Sequence, residues 1–364
     1  MFFTLVLLFK CTSNDSPVTP PGDGQSSFYL GFTPFPYDIT QSAVQYVYDK
    51  IRSDANIISH HFDDGIPWPE ALAGTDFHQN IISDWQFRLA NTPATHKVFV
   101  SVTPINIDRN GLAPYKAEEG NMPLPAPWDT VSFNNPDVKT AYLNYCNRII
   151  DFFNPDYFCF GIEVNLLMAN SPEKWDAYMD LQKFIYEQLN SSHPNLVIFV
   201  SFSGIQLIPG YTSANDADQL RAFSEAISYS DYYGISLYPY LSTFTTDTIP
   251  SDMFTKLFSL NNKTTVFTET GYPAESFSIF GGTIQFEGTP EKQDNYFRQL
   301  FEAAGERGVK FIIDFVLRDY DELWRAIGSP DDIRKVWRDT GLYDENGDPR
   351  LAHETWMMQL NLSK

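Results

Sequence analysis

Eight short apolar runs, each followed by a stretch with helical spacing, constrain this chain more than any other feature. The runs are Phe28–Phe32, Asn56–His61, Lys97–Thr103, Asp156–Glu163, Leu196–Phe202, Tyr232–Tyr238, Thr264–Glu269 and Lys310–Val316. They are rich in β-branched and aromatic residues and lack a clean polar alternation, as strands covered on both faces require. Between them, start signals predict helices: Thr40 caps one to Asp54, Pro69 opens one towards Ala90, and Pro136 opens one to Phe153. Further helices are expected from Ser171-Pro172-Glu173 to Leu189, over Ala217–Ser228, Ser251–Leu260 and Pro290–Gly308, and near Asp331–Arg338. No internal linker interrupts the series. No glycine-rich phosphate fingerprint follows the first strand, which excludes a dinucleotide fold. Eight alternating units predict an α/β protein, a single closed (β/α)8 or TIM barrel spanning residues 28–364.

Residues 1–27 stand apart. Phe2 to Phe9 form an apolar run too short to span a bilayer, Cys11 follows, and a polar Pro/Gly/Ser stretch leads to Ser27. Together they resemble a bacterial lipoprotein signal and tether. That resemblance implies export to the cell envelope or secretion, with a lipid on Cys11 as the one membrane attachment. Cys146 and Cys159 fall in a predicted helix and strand and read as core residues.

A net charge of −21 excludes nucleic acid and anionic membrane surfaces as partners, because phosphate contacts need Lys and Arg. Aromatic residues make up 16% of the chain, a content suited to stacking on sugar rings, so a neutral polysaccharide or oligosaccharide is the expected substrate. No cofactor is expected.

In barrels of this kind chemistry sits at the carboxyl ends of the strands. Rim positions include His60, His61, Asp63 and Asp64 after the second strand and Glu163 and Asn165 at the fourth. Tyr238 and Tyr240 follow at the sixth, Glu269 at the seventh, and Trp324 after the eighth. Glu163 and Glu269 end strands on opposite sides of the barrel, so their carboxyls are expected to face one another across its mouth. Two carboxyls so placed are the arrangement for retaining glycoside hydrolysis: one donates a proton to the leaving oxygen, and the other attacks the anomeric carbon. Trp68, Trp128, Trp324, Phe35, Tyr240, Tyr272 and Phe280 fall in rim loops, where aromatic rings stack on pyranose faces or pack the loops. Trp175, Trp337 and Trp356 fall on predicted helices and read as outer core. The long loop Pro104–Asn135 is expected to shape the cleft.

Three segments resemble the clan of retaining (β/α)8 glycosidases, and within it the endo-β-1,4-galactanase family most. They are Phe160-Gly161-Ile162-Glu163-Val164-Asn165, Tyr233-Gly234-Ile235-Ser236-Leu237-Tyr238-Pro239 and Thr268-Glu269-Thr270-Gly271-Tyr272-Pro273. The closing Thr340–Pro349 is also similar to the end of many barrels in the clan. The resemblance implies that Glu163 is the acid/base, Glu269 the nucleophile and Tyr238 a hydroxyl holding the nucleophile. Two departures are visible. The clan places Asn directly before the acid/base, where this chain has Ile162 and offers Asn165 instead. The clan's basic residue near the second strand has no clear counterpart, and His60 or His61 is the expected substitute.

His60, His61, Asn165, Tyr238, Tyr240, Tyr272, Trp128 and Trp324 are thus the expected substrate contacts. Two other functions fit the sequence: a catalytically inactive glycan-binding barrel at the cell surface, and a metal-dependent hydrolase using His60 and His61. Asp344-x-Asn346-x-Asp348 lacks the glycine and glutamate of a calcium loop and reads as a surface turn.

Overall fold

The computed structural model describes residues 28–243 and 249–362, so the signal-like segment, the tether and Cys11 lie outside the described residues. Its strands are β1 (Tyr29–Phe32), β2 (Ile57–Phe62), β3 (Lys97–Val102), β4 (Tyr157–Cys159), β5 (Val197–Ser203), β6 (Tyr233–Leu237), β7 (Thr265–Thr270), β8 (Phe277–Ile279), β9 (Ile284–Phe286) and β10 (Phe311–Asp314). All but β8 and β9 pair in parallel to close a barrel, in the order β1-β10-β7-β6-β5-β4-β3-β2. The pair β8–β9 is an antiparallel hairpin between the seventh and eighth barrel strands, and sequence reading missed it.

The helices are α1 (Gln41–Asp54), α2 (Trp68–Ala73), α3 (Gln79–Asn91), α4 (Pro136–Phe153), α5 (Asn165–Asn170), α6 (Trp175–Ser192), α7 (Asp216–Ala226), α8 (Met253–Ser259), α9 (Pro290–Arg307), α10 (Asp321–Ala326) and α11 (Leu351–Leu362). Thr40 caps α1 by accepting from the Ala43 amide, and Asn135 caps α4 by accepting from that of Asp137. Gly308 closes α9 in the left-handed conformation, where a side chain would be strained. The single helix expected from Pro69 to Ala90 is two, because Gly74 takes φ 67 and ends α2. The helix expected near Asp331–Arg338 is a short 3-10 turn, Ile333–Trp337, and the terminal helix is α11.

Two cores follow from the strand period of two. Ile57, Phe99, Phe311 and Ile313 pack inside the barrel with Tyr157, Cys159, Ile162, Phe199 and Val266. Their neighbours Ile58, Val100 and Ile312 join the larger cluster between barrel and helices. The interior is a packed plug, so any cavity lies above it, at the strands' carboxyl ends.

A candidate active site at the barrel mouth

Above the plug the inward positions become polar: His61 on β2, Ser101 on β3, Ser201 on β5 and Ser236 on β6. Glu269 reaches the same level only through an irregularity. On the β6 side Ile235 pairs with Phe267 and Ser236 with Glu269; on the β10 side Ile312 pairs with Phe267 and Asp314 with Thr270. Both neighbours therefore skip one residue of β7, a β-bulge at Thr268. Val266 faces inward and Phe267 outward, so an unbroken strand would send position 269 into the helical layer. The bulge turns Glu269 into the mouth and puts Thr270 outside against Tyr296 of α9.

Glu163 arrives differently. Strand β4 stops at Cys159, shorter than the sequence suggests, and Glu163 sits in a turn with φ 48, a value few non-glycine residues adopt. Its amide donates to Ser201 Oγ at 3.0 Å, which anchors that turn on β5.

Both glutamates line one cavity of about 360 Å³, together with Thr33, Pro34, Phe35, Pro36, His61, Asp63, Asp64, Arg88, Ile107, Arg109, Phe315 and Trp337. Glu163 Oε1 accepts from Ser236 Oγ at 2.9 Å, and its Oε2 accepts from Arg109 Nη2 at 3.3 Å. Glu269 Oε2 accepts from the Tyr238 hydroxyl at 3.3 Å, and its Oε1 lies 3.8 Å from His61 Nδ1. Burial pushes the Glu269 carboxyl well above its ordinary range, with the charges of Glu163 and Asp63 adding to it and Arg109 and the Tyr238 hydroxyl opposing.

Arg109 organises the charges. It projects from the long loop after β3 with φ 50, and its guanidinium grips both oxygens of Asp63 at 2.8 and 2.6 Å before reaching Glu163. Burial works against its charge, but Asp63, Glu163 and Glu269 more than restore it and raise its pKa. Asp63 is buried too, yet Arg109 holds its pKa below the usual value. Sequence reading missed Arg109 because a loop arginine carries no periodic signal. The one available hint was a basic residue in a loop long enough to fold back over the mouth.

The two adjacent histidines part company, as neighbours on a strand must. His61 lines the cavity beside Ser101 Oγ at 3.0 Å, and burial pushes its pKa down to about 4. His60 points into the helical layer against Phe153, where its Nε2–H donates to Thr92 Oγ1 at 2.8 Å and burial pushes its pKa down to about 3. It is therefore not a substrate contact, and the two rings cannot share a metal ion.

Other expected contacts also lie elsewhere. Asn165 is fully buried in α5, accepting from the Ser203 amide and donating to Gln219 Oε1, so it clamps α5 to β5 and α7 instead of replacing the missing amide before Glu163. Ile162 is buried in the barrel plug. Tyr240 and Tyr272 pack against each other at 5.7 Å in a buried aromatic cluster, with the Tyr240 hydroxyl on the Val336 carbonyl. Trp128, within the long loop, stacks on Trp68, and Trp324 lines a separate cavity by the β8–β9 hairpin. Trp175 and Trp356 are buried in the outer layer as expected. Trp337 is not: it lines the same cavity as the two glutamates and packs edge-on against Tyr238 at 5.9 Å, with its indole N–H unpartnered among the described residues.

No family profile and no curated protein matches this chain. Solved structures do. The GH53 catalytic domain of Ignisphaera aggregans superposes with a TM-score of 0.59 at 17% identity, covering 94% of this chain and 98% of that one. The exo-β-1,4-mannosidase Op5Man5 from Opitutaceae bacterium strain TAV5 gives 0.62 at 13% identity, over 95% of this chain and 62% of that one. Xylanase 10B from Thermotoga maritima gives 0.60 at 12%, over 92% and 95%. Likeness at these identities is a likeness of fold, and it agrees with the resemblance seen in the strand-end segments.

Proposed function

We propose that the chain is a retaining glycoside hydrolase acting on a β-linked neutral glycan, with Glu163 and Glu269 as its two working carboxyls. One observation carries the reading: acids from opposite sides of the barrel line a single cavity, and each is braced by a hydroxyl, Ser236 for Glu163 and Tyr238 for Glu269. In the first step Glu269 attacks the anomeric carbon while Glu163 gives its proton to the leaving oxygen, forming a glycosyl ester on Glu269. In the second, Glu163 takes a proton from water, which attacks the same carbon and frees Glu269. Arg109 compensates the negative charge gathered at the mouth, and Trp337 and Phe35 offer faces for a sugar ring. Glu269 must be ionised to attack. Because its surroundings raise its pKa, the acidic limb of the rate profile is set by this group and lies above the ordinary carboxylate range.

The direct contact of Arg109 with Glu163 favours a second allocation, with Glu163 attacking and Glu269 donating. Alanine variants assayed with activated aryl β-glycosides and sodium azide separate the two. On the first allocation, Glu269→Ala with azide yields the α-glycosyl azide and Glu163→Ala the β-azide; exchanged products reverse the roles. Oligosaccharide binding by calorimetry, with no turnover by wild type on any β-glycan, would leave a glycan-binding barrel in place of an enzyme. Export on residues 1–27, with a lipid on Cys11, belongs to the same proposal, and metabolic labelling with a radioactive fatty acid tests it.

A further inference from the structure

We infer that this site removes sugar from the non-reducing end of its substrate, with the terminal ring held at Asp64 and Arg88 against a wall made of two loops. The inference rests on the hydrolase reading above.

The wall is made by backbone. The segment after β2 and the long loop after β3 are joined by Gly65 N to Gly120 O at 3.0 Å, Ile66 N to Pro114 O at 2.8 Å and Lys116 N to Ile66 O at 3.2 Å. Side chains reinforce the seam: the Trp68 indole donates to the Ala113 carbonyl at 2.8 Å, and Lys116 pairs with Asp64. A Cβ on Gly65 would stand 2.5 Å from Gly120 O and 2.8 Å from Pro114 O, so only glycine lets the two chains close. Because main-chain bonds join these loops, they form a fixed barrier and not a hinged lid.

The cavity lies to one side of the glutamates. Its lining comes from the segments after β1, β2, β3 and β10, with Arg88 from α3 and the two acids, and includes nothing from the segments after β5 and β6. A ring bound there and attacked by Glu269 has its anomeric carbon at the acids and its opposite end toward Asp64, through which the cavity meets the seam. Two polar groups meet that end. Asp64 Oδ1 is buried and has no partner among the described residues, an uncompensated acceptor that a sugar hydroxyl would satisfy. Arg88 uses its Nε on Asp84 and lies over the Phe62 ring at 4.9 Å, its guanidinium at the cavity edge. An internal stretch of polysaccharide would have to pass through the wall. A chain end fits.

The test uses the full chain on β-1,4-linked galacto-, manno-, gluco- and xylohexaose carrying a 2-aminobenzamide label at the reducing end. A second set is methylated on the terminal 4-hydroxyl. End-on action shortens the label stepwise and leaves the methylated set at least a hundredfold slower. Labelled products of every length at the outset, or equal rates on both sets, overturn the inference while leaving the hydrolase reading intact. Nitrophenyl β-glycosides extend the test to any sugar: Asp64→Ala should lower kcat/KM at least tenfold, and an unchanged value overturns the inference. Lys116→Met breaks the same ion pair but keeps the carboxylate; a loss equal to that of Asp64→Ala would overturn recognition by Asp64. Absence of turnover on every substrate removes the hydrolase reading and this inference together.

Discussion

Replacing Arg109 by methionine tests the charge arrangement at the mouth most directly. The guanidinium is 5% exposed and Asp63 11%, so their pair is a buried one. Removing one member of such a pair leaves an uncompensated charge and costs about 3–5 kcal/mol, much more than an exposed pair would. For a chain of this length the unfolding entropy is about 0.7 kcal/mol per kelvin, so the melting temperature should fall by roughly 4–7 °C at neutral pH. Pairing the change with Asp63→Asn removes the orphaned charge and should recover most of that loss. Arg109 is also one of the groups holding the Glu269 pKa down. Without it that pKa rises further, and the acidic limb of kcat/KM, which reports ionisation of the attacking group, moves to higher pH. Calorimetric melting and pH–rate profiles of the single and double variants read both effects. A single variant that melts within 1 °C of wild type, with the limb unmoved, would refute the assignment of Arg109 as the compensating charge.

Other outcomes follow from the same geometry. Glu269→Gln should lose many decades of turnover with an unchanged circular dichroism spectrum, and more than about a tenth of the wild-type rate would contradict a nucleophilic role. Gly65→Ala should destabilise by about 1–3 kcal/mol in chemical denaturation, since two carbonyl oxygens occupy the space a methyl needs. Trp337→Ala should raise KM or the inhibitor Kd roughly fivefold, the loss of about 1 kcal/mol of stacking. His60→Gln should flatten the acid arm of stability. The folded-state pKa of His60 is depressed to about 3, so the folded chain refuses a proton that the unfolded chain takes up below about 6.5. Wild type therefore holds this contribution in full above pH 6.5 and loses about 1.4 kcal/mol per pH unit as pH falls towards 3. Denaturant titrations at pH 7, 6 and 5 should show the variant gaining on wild type at each step.

The barrel was legible because burial imposes a period. Eight apolar runs and their helix caps locate every barrel strand to within a few residues; the same pattern places Glu269 correctly near the end of β7, but carries β4 four residues too far, to Glu163, which lies in the turn beyond it. What could not be read were departures from that period. Strict alternation along β2 distinguishes His61 from His60, since Ile57 faces inward, yet the doublet invites treating both as rim residues. Along β7 alternation misleads, because the bulge at Thr268 reverses it. Arg109, Trp337 and the seam at Gly65 belong to connections, where position follows from contacts formed only after the barrel has closed. Tyr240, Tyr272, Trp128 and Trp324 show the converse error: an aromatic residue in a rim loop more often packs the loop than faces the solvent.

The surplus residue in β7 has a consequence for sequences related to this one. Thr268 keeps its place by donating its hydroxyl to the Ile235 carbonyl, which compensates part of the ladder the extra residue interrupts. Deleting it would set the glutamate directly after Phe267 in an unbroken strand, where alternation still turns it into the mouth, so the barrel would keep both acids. The bulge is thus the device by which the strand carries one extra residue without turning its acid away from the mouth. Among diverged homologues, a glutamate without its preceding insertion would keep its place at the mouth, whereas an extra residue taken up without a bulge would turn it into the helical layer.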